Sequence, residues 1–305
     1  MSLNSEIRTF DALNEEAKRQ NKLHRIIVMI ELGDLREGIL PGTLVEHYKH
    51  AFSLSNIEVV GIGANLGCVS GAVPNIDQFT QLMLYRELLE LKFDRKLPLI
   101  SAGTSSVLPL LIQGELPHGI NHFRIGEAIF LGTDLINGGT LPGYRDDGIL
   151  VEVNVVEVKN KSLVPLGETT DMTPFEAFQD TDGPPGSRGY RAIVTLGQLD
   201  TEVQGLRPCN PNHQIAGASS DLTVVNIGDN PENLQVGDKI AFRPNYGAFL
   251  RLMTCPYIDK FVEPTLASFE EEQNGSSEMH SVPRTIDLNS ELDGSDSSAV
   301  ETNSA

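Results

Sequence analysis

The feature that most constrains the fold is a series of short, uninterrupted apolar segments that alternate with helical patterns. The strand-like segments are residues 26–30, 57–62, 97–101 and 121–125. The helical patterns begin at Ile7, capped by Asn4 or Ser5, and continue at 43–52, 76–93 and 105–113. Uninterrupted apolar strands are typical of parallel strands that are buried on both faces. The alternation therefore predicts a parallel β/α arrangement of about four strands that opens with a helix.

The pattern changes after about residue 148. Segments 149–158, 191–196, 221–225 and 239–242 are short and rich in β-branched residues, and the first of them alternates apolar and polar side chains. Turn sequences such as those at 182–186 and 229–231 separate them. This spacing favours an antiparallel β domain over residues 149–262, following a β/α domain over residues 1–148.

Charge and cysteine content narrow the class of protein. The chain carries 42 acidic and 23 basic residues, so clustered Lys and Arg for phosphate neutralisation are scarce and a nucleic-acid partner is not expected. No apolar run approaches the ~20 residues of a membrane span, and the N-terminus lacks a secretory pattern. Three widely spaced cysteines indicate reduced thiols, so we expect a cytoplasmic protein without a membrane partner.

The acidity is concentrated at the C-terminus. Residues 263–305 contain ten acidic side chains against the single basic residue Arg284. Ser, Asn and Gly dominate the same stretch, and large apolar residues are few. Such a composition buries too little surface to offset the entropy of ordering, which predicts a disordered acidic tail. Simple solvated disorder is favoured over a tail that binds a partner.

Polar and charged residues follow each predicted parallel strand. In chain order they are Asp34, Arg36 and Glu37, then Asn65 and Cys68, then Thr104 and Ser105, then Arg124, Gly126 and Glu127. Because the carboxyl ends of parallel strands meet at one edge, which we call the rim, these groups are expected to lie together. The hydroxyls and N–H groups that open the helix at 105 could bind phosphate, and buried guanidinium groups need acceptors.

Each of these residues also has a purely structural interpretation. Thr104 and Ser105 could simply cap a helix, and Arg124 could pair with Glu127 or Asp34. Cys68 alone is more often a small core residue than a reactive thiol. Taken together, the residues predict a phosphate-containing ligand at the rim, and the residue pattern carries the argument no further.

The strings that carry these residues resemble a known family. MIELGDLREGI, GIGANLGCVSGAVPN, ISAGTSSVLPLL, INHFRIGEAIFLGTD and GETTDM, between residues 2 and 261, resemble the alanine-racemase-like family, and its ornithine racemases in particular. The resemblance implies an N-terminal β/α barrel that binds pyridoxal 5′-phosphate (PLP), followed by a β domain. It further implies an isomerase that interconverts L- and D-amino acids by proton transfer at Cα, acting as a homodimer.

The resemblance also implies roles for individual residues. Arg36 would lie near the phenolic oxygen of PLP, Asn65 beside the ring, and Arg124 opposite the pyridine nitrogen. The phosphate would be held by Thr104, Ser105, Gly126 and the amide of Glu127. An arginine opposite the ring nitrogen keeps that nitrogen unprotonated, which favours simple proton exchange over other PLP chemistry. No metal is implied.

The sequence departs from the family at both of the expected proton-transfer groups. The lysine that links covalently to PLP lies in the family at the end of the first barrel strand, which would precede Met1, so we expect a partial barrel. The family's tyrosine, contributed by the partner subunit, is matched here by Gln198. Tyr190 and Cys68 are further candidates for that role, and the choice among the three stays open.

Three readings of the chain follow. The first is a PLP-dependent racemase of an amino acid such as ornithine, whose side-chain amine Asp34, Glu37, Asp221 or Glu168 could receive. The second is a non-catalytic remnant that binds PLP or a full-length paralogue. The third is a shortened gene product of an ordinary racemase. Open edges of a partial barrel predict association as a homodimer or with another chain.

Overall fold

The computed structural model describes residues 1–164 and 186–263. Residues Met1–Tyr257 form one compact unit that contains two sheets. Glu168, the GETTDM string, most of the 182–186 turn and residues 264–305 of the expected tail lie outside the described residues.

The first sheet is parallel throughout, and its strands follow one another in chain order. Its strands are β1 (Ser2–Asn4), β2 (His24–Ile30), β3 (Ile57–Ala64), β4 (Leu99–Gly103) and β5 (His122–Phe123). The α-helices of this part are α1 (Ile7–Arg19), α2 (Leu44–Ser53), α3 (Ile76–Phe93), α4 (Leu108–Ile112) and α5 (Glu127–Leu131). Short 3-10 turns at Pro41–Thr43 and Ser105–Val107 precede α2 and α4. The predicted β/α alternation is confirmed.

Three details of the prediction were wrong. The chain opens with a strand, because Ser2 and Asn4 pair in parallel with Ile26 and Val28, so the sheet has five strands rather than four. β4 starts later than predicted, since Pro98 has no N–H to donate and the N–H of Leu97 is bound by Glu90. The pattern at 105–113 divides into a 3-10 turn and α4.

Burial on both faces of β2 explains why its sequence is uninterrupted in apolar residues. Ile26, Val28 and Ile30 belong to the large core that includes residues of α1, α2 and α3. Ile27 and Met29 point to the opposite face, where they pack with Val60, Leu3 and Leu99. A strand with one wet face would alternate instead.

The second sheet is antiparallel, with strand order β8-β11-β6-β7-β10-β9. Its strands are β6 (Val151–Ser162), β7 (Arg188–Val194), β8 (Leu206–Pro208), β9 (Gln214–Ala218), β10 (Thr223–Asn226) and β11 (Lys239–Pro244). The end strands β8 and β9 contact each other, so the sheet is nearly closed. A 3-10 turn (Val203–Gly205) precedes β8, and helix α6 (Tyr246–Thr254) follows β11. The antiparallel sheet was predicted from the sequence, but β8, β9 and α6 were not.

Helix capping also differs from the prediction and supports a stability test. The N-cap of α1 is Glu6 and not Asn4 or Ser5, because the chain stays extended as far as Glu6, and Glu6 makes no side-chain cap bond. Asn75 instead forms a reciprocal capping box with Gln78 at the start of α3. We expect Asn75→Ala to lower the free energy of unfolding by about 1 kcal/mol, measured by urea denaturation. Ser5→Ala, the matched control, should change it by less than about 0.5 kcal/mol. Equal losses in both variants would contradict this assignment.

Candidate functional site

Arg124, just after β5, is the central cation of the rim. One terminal nitrogen, Nη1, donates to Ser101 Oγ at 2.5 Å, and the other, Nη2, donates to Asn65 Oδ1 at 3.0 Å and to the Ala64 carbonyl at 3.3 Å. All of these acceptors are neutral. In residues 1–164 and 186–263 no carboxylate lies within ion-pair distance of Arg124, so neither Asp34 nor Glu127 pairs with it. Burial lowers the pKa of Arg124, yet an arginine keeps its charge.

Asn65 connects Arg124 to a buried carboxylate. Its Nδ2 donates to Asp34 Oδ2 at 2.5 Å, and both residues are only 2% exposed. The other carboxylate oxygen accepts from the backbone N–H groups of Cys68 at 2.8 Å and Val69 at 3.1 Å. Burial acts to raise the pKa of Asp34, but these hydrogen bonds outweigh it and the pKa lies below its usual range. Asp34 is therefore occupied and enclosed, so the expectation that it could receive a substrate amine was wrong.

Ser101 and His122 hold the other side of Arg124. They are register partners on β4 and β5, and Ser101 Oγ lies 2.8 Å from His122 Nδ1. Ser101 Oγ also accepts from Arg124 Nη1, and the direction of its bond with His122 Nδ1 depends on the tautomer of the ring. Burial and the charge of Arg124 lower the pKa of His122, which keeps this ring neutral. From the sequence, Ser101 and His122 were predicted only to lie on strands.

Arg36 is held differently, at the exposed mouth of the rim. Its guanidinium forms a two-pronged ion pair with Glu37, with Nη2 2.7 Å from Oε1, and Nη1 donates to Cys68 Sγ at 3.1 Å. Arg36 lowers the pKa of Glu37. The rim therefore has one cation paired with a carboxylate and one, Arg124, bound by neutral oxygens.

The two segments expected to bind phosphate lie side by side. Thr104 caps the 3-10 turn after β4, where its Oγ1 accepts from Ser106 N and donates to the Leu66 carbonyl at 3.2 Å. Ser105 Oγ accepts from the backbone N–H of Ala128 at 3.2 Å, which joins this turn to the first turn of α5. The structure thus brings Thr104 and Ser105 next to Gly126 and Glu127. Burial raises the pKa of Glu127.

Tyr246 is a rim residue that the sequence analysis missed. A Cβ placed on Gly126 would lie 3.3 Å from the Tyr246 hydroxyl. Tyr246 opens α6, which is capped by Asn245, and its ring stacks on Phe249, which in turn packs against Phe130 of α5. The Asn245 cap, followed by apolar residues at helical spacing, was the available signal. The end of the second sheet region therefore supplies a hydroxyl to the rim.

The three candidates for the second proton-transfer group are not gathered at one place. Cys68 lies at the mouth of the rim beside Arg36. Tyr190 lies on β7 opposite Asn160, and Gln198 donates to Gln204 Oε1 at 3.1 Å. Over the described ranges, neither Tyr190 nor Gln198 hydrogen bonds to a rim residue.

No lysine comes directly after the carboxyl end of a strand of the parallel sheet. Lys22 and Lys96 precede β2 and β4, at the amino ends of those strands. The other seven lysines are on helices, in the second sheet or beyond α6: Lys18, Lys49, Lys92, Lys159, Lys161, Lys239 and Lys260.

Two further classes of site are absent from the part of the chain that the structure describes. No cluster of three or more His, Cys, Asp or Glu side chains there could hold a metal ion. No helix there combines the length and apolar character needed to cross a membrane.

Comparison with known proteins decides the family. Residues 2–134 match the family described as "Alanine racemase, N-terminal domain". The chain is 38% identical to the ornithine racemase of Acetoanaerobium sticklandii over 262 residues, which are 85% of this chain and 73% of that protein. The chain belongs to the alanine-racemase-like family. This family member is also 36% identical to the lysine racemase of Thermotoga maritima over 84% of its own length and 70% of that protein.

Solved structures agree on the fold of this alanine-racemase-like chain. The alanine racemase of Streptomyces lavendulae superposes with a TM-score of 0.56 at 17% identity, covering 80% of this chain. The alanine racemase of Bartonella henselae, solved with covalently bound pyridoxal phosphate, gives a TM-score of 0.56 at 16% identity and covers 78%. The chain spans 62% and 63% of the lengths of these two proteins. At these identities the match shows the fold alone.

Proposed function

We propose that the protein is a PLP-dependent racemase of a cationic amino acid such as ornithine. The observation that carries the proposal is the state of Arg124, whose charge is bound only by neutral oxygens among the described residues. A half-buried cation without a carboxylate partner favours a ligand with an acceptor or an anionic group. The names of the two curated relatives, an ornithine and a lysine racemase, support the substrate class.

The donor set of the rim fits PLP. Arg124 would face the pyridine nitrogen, Arg36 the phenolic oxygen, and Asn65 would pack beside the ring. The phosphate would be held where Thr104 and Ser105 adjoin Gly126 and Glu127, a place left open by the absence of a Cβ on Gly126. The Tyr246 hydroxyl would donate a further hydrogen bond to the phosphate.

The chain's own residues define the chemistry available. When bound, PLP supplies an electron-withdrawing ring that stabilises negative charge at the substrate Cα. Arg124 only donates hydrogen bonds, so it would hold the ring nitrogen as an acceptor and would favour proton exchange over other outcomes. Cys68 lies at the mouth as a candidate proton donor. Tyr190 or Gln198 would act from the second sheet of a partner subunit, which makes a homodimer part of the proposal.

Substrate recognition and assembly complete the proposal. With Asp34 enclosed, Glu37, exposed Asp221 and Glu168 remain candidates to receive the substrate amine, and Glu168 lies outside the described residues. The exposed edges of β1 and β5 are the surfaces through which this chain would associate with another chain. The domains would divide near residue 148 and at 262, and the protein would act in the cytoplasm.

A racemisation assay tests the proposal. The purified chain is supplied with PLP and with L-ornithine, L-lysine or L-alanine, and the D-isomers are measured by chiral chromatography. In D₂O, exchange of the Cα hydrogen is followed by mass spectrometry. We expect turnover of ornithine or lysine above that of alanine. Absence of both D-isomer and Cα exchange, in a chain that binds pyridoxine 5′-phosphate, would rule the racemase out.

The lysine positions favour a second candidate, which is cofactor binding without turnover. No lysine comes directly after the carboxyl end of a parallel strand, so the described residues offer no amine at the place expected for a covalent link to PLP. Borohydride treatment with PLP, followed by peptide mapping, separates the two functions. One lysine labelled stoichiometrically supports the racemase, whereas scattered or absent labelling alongside tight binding supports the second candidate.

A further inference from the structure

Asn65 lies between two groups whose hydrogen-bonding roles are fixed. The Arg124 guanidinium can only donate, and the ionised Asp34 carboxylate can only accept. The Asn65 amide therefore has one permitted orientation, with its oxygen towards Arg124 at 3.0 Å and its NH₂ towards Asp34 at 2.5 Å. Reversal of the amide would break both bonds at once.

Asp34 is itself held rigidly. Its carboxylate is 2% exposed, and Oδ1 accepts from Cys68 N, Val69 N and the Ser70 hydroxyl, the last at 3.1 Å. These bonds come from the loop that follows β3, so Oδ2 keeps a fixed position towards Asn65. The same bonds keep the pKa of Asp34 below its usual range, so the group stays ionised at neutral pH.

The contact of Asp34 with Arg124 through Asn65 affects Arg124 differently from a direct ion pair. A carboxylate directly on Arg124 would neutralise its charge and take up its donors. With Asn65 in between, Asp34 fixes the guanidinium while Arg124 meets only neutral oxygens. The charge stays available to a ligand.

We propose that Asp34 is a positioning residue, which acts through Asn65 to hold the Arg124 guanidinium in its ligand-binding orientation. The proposal deepens the proposed function and rests on it, because it takes Arg124 as the group that meets the cofactor ring. Asp34 itself would not touch the cofactor ring.

Exchanging the two residues provides the test. In Asp34→Asn, the new amide keeps its oxygen on the loop N–H groups and turns its NH₂ to Asn65, so Asn65 reverses and presents a donor to Arg124. In Asn65→Asp, two carboxylates face each other. The double variant D34N/N65D restores one donor and one acceptor at each contact but sets a carboxylate directly on Arg124, so it separates the order of the hydrogen bonds from the charge that Arg124 offers a ligand. Ser70→Ala is the matched control, since it removes an Asp34 contact on the loop side only.

Two measurements are made at pH 8. Binding of pyridoxine 5′-phosphate, which has no aldehyde to react with surface lysines, is measured by calorimetry. The side-chain N–H signals of Arg124 and Asn65 are followed by ¹⁵N NMR without ligand, and thermal unfolding reports folding. We expect D34N and N65D each to bind roughly 10-fold more weakly and to shift the Arg124 signals. The double variant should regain the ordered Arg124 signals of the parent but stay weak in binding, because its carboxylate lies directly on Arg124, and Ser70→Ala should match the parent in both measurements.

The outcomes separate this inference from the proposed function. Unchanged Arg124 signals in folded D34N, or Arg124 signals in the double variant that stay as disordered as those in N65D, would overturn the positioning role. If D34N does not fold, the comparison of N65D with the double variant decides. If the parent chain does not bind pyridoxine 5′-phosphate, the proposed function fails, while the Arg124 signals still test whether Asp34 orients the guanidinium.

Discussion

Replacing Arg124 with glutamine should lower the affinity for pyridoxine 5′-phosphate by roughly 10- to 100-fold, because a hydrogen bond from a charged donor contributes about 1.5–3 kcal/mol. Glutamine keeps a donor amide but loses the charge and the second terminal nitrogen. In this structure Nη1 is committed to Ser101 and Nη2 to Asn65 and Ala64, so the guanidinium is already oriented before a ligand arrives. Such preorganisation is what makes its loss costly to binding.

The control is another arginine on the same sheet. Arg25 lies at the amino end of β2, opposite the rim, and forms an exposed pair with Glu58. Arg25→Gln should leave the affinity unchanged, and both variants should keep the parent's cooperative unfolding. Calorimetric titration measures the affinities. Equal affinity in Arg124→Gln and the parent would remove Arg124 from the proposed site and leave the function without its main support.

The parallel sheet could be predicted from the sequence because burial on both faces leaves an apolar pattern within each strand itself. Residues 26–30 of β2 are all apolar because Ile26 and Ile27 are buried on opposite faces, and a run of this length is too short for a helix. β1 was not readable in this way. Its three residues include Ser2 and Asn4, and they become a strand only by pairing with β2 more than twenty positions away.

The site was predicted in its composition but not in its connections. Strand ends must converge at one edge, so Arg36, Asn65, Thr104 and Arg124 could be expected there. Which carboxylate is enclosed and which is exposed depends on the loop after β3, whose N–H groups bind Asp34. Sequence spacing carries no information on that loop's path.

Residues from distant parts of the chain were missed for the same reason. Tyr246 comes to Gly126 from 120 positions later, through the packing of α6 on α5. Ser101 and His122 meet because β4 and β5 pair in this register, and the apolar residues around them in the sequence do not indicate that register. In each case tertiary packing gives the side chain its partner.

Replacing Gly126 with valine should lower the affinity for pyridoxine 5′-phosphate by roughly 10- to 100-fold and change that for pyridoxine, which lacks the phosphate, by less than about twofold. A Cβ at this position would lie 3.3 Å from the Tyr246 hydroxyl, so the two valine methyls would fill the space between that hydroxyl and the first turn of α5. The φ of −127° lies outside the left-handed region that favours glycine, and the expected loss of affinity comes from the space that the valine methyls occupy.

The comparison of the two ligands places the phosphate. Gly217→Val, on β9, is the control, since no atom lies within 4 Å of a Cβ built there. If the phosphate lies between Gly126 and Tyr246, the valine variant should bind both ligands with nearly equal affinity, because only the phosphate contacts are lost. A parallel loss for pyridoxine would instead place the ring against Gly126. Unchanged affinity for both would move the phosphate away from α5 altogether, since a branched side chain cannot share that space with a bound anion.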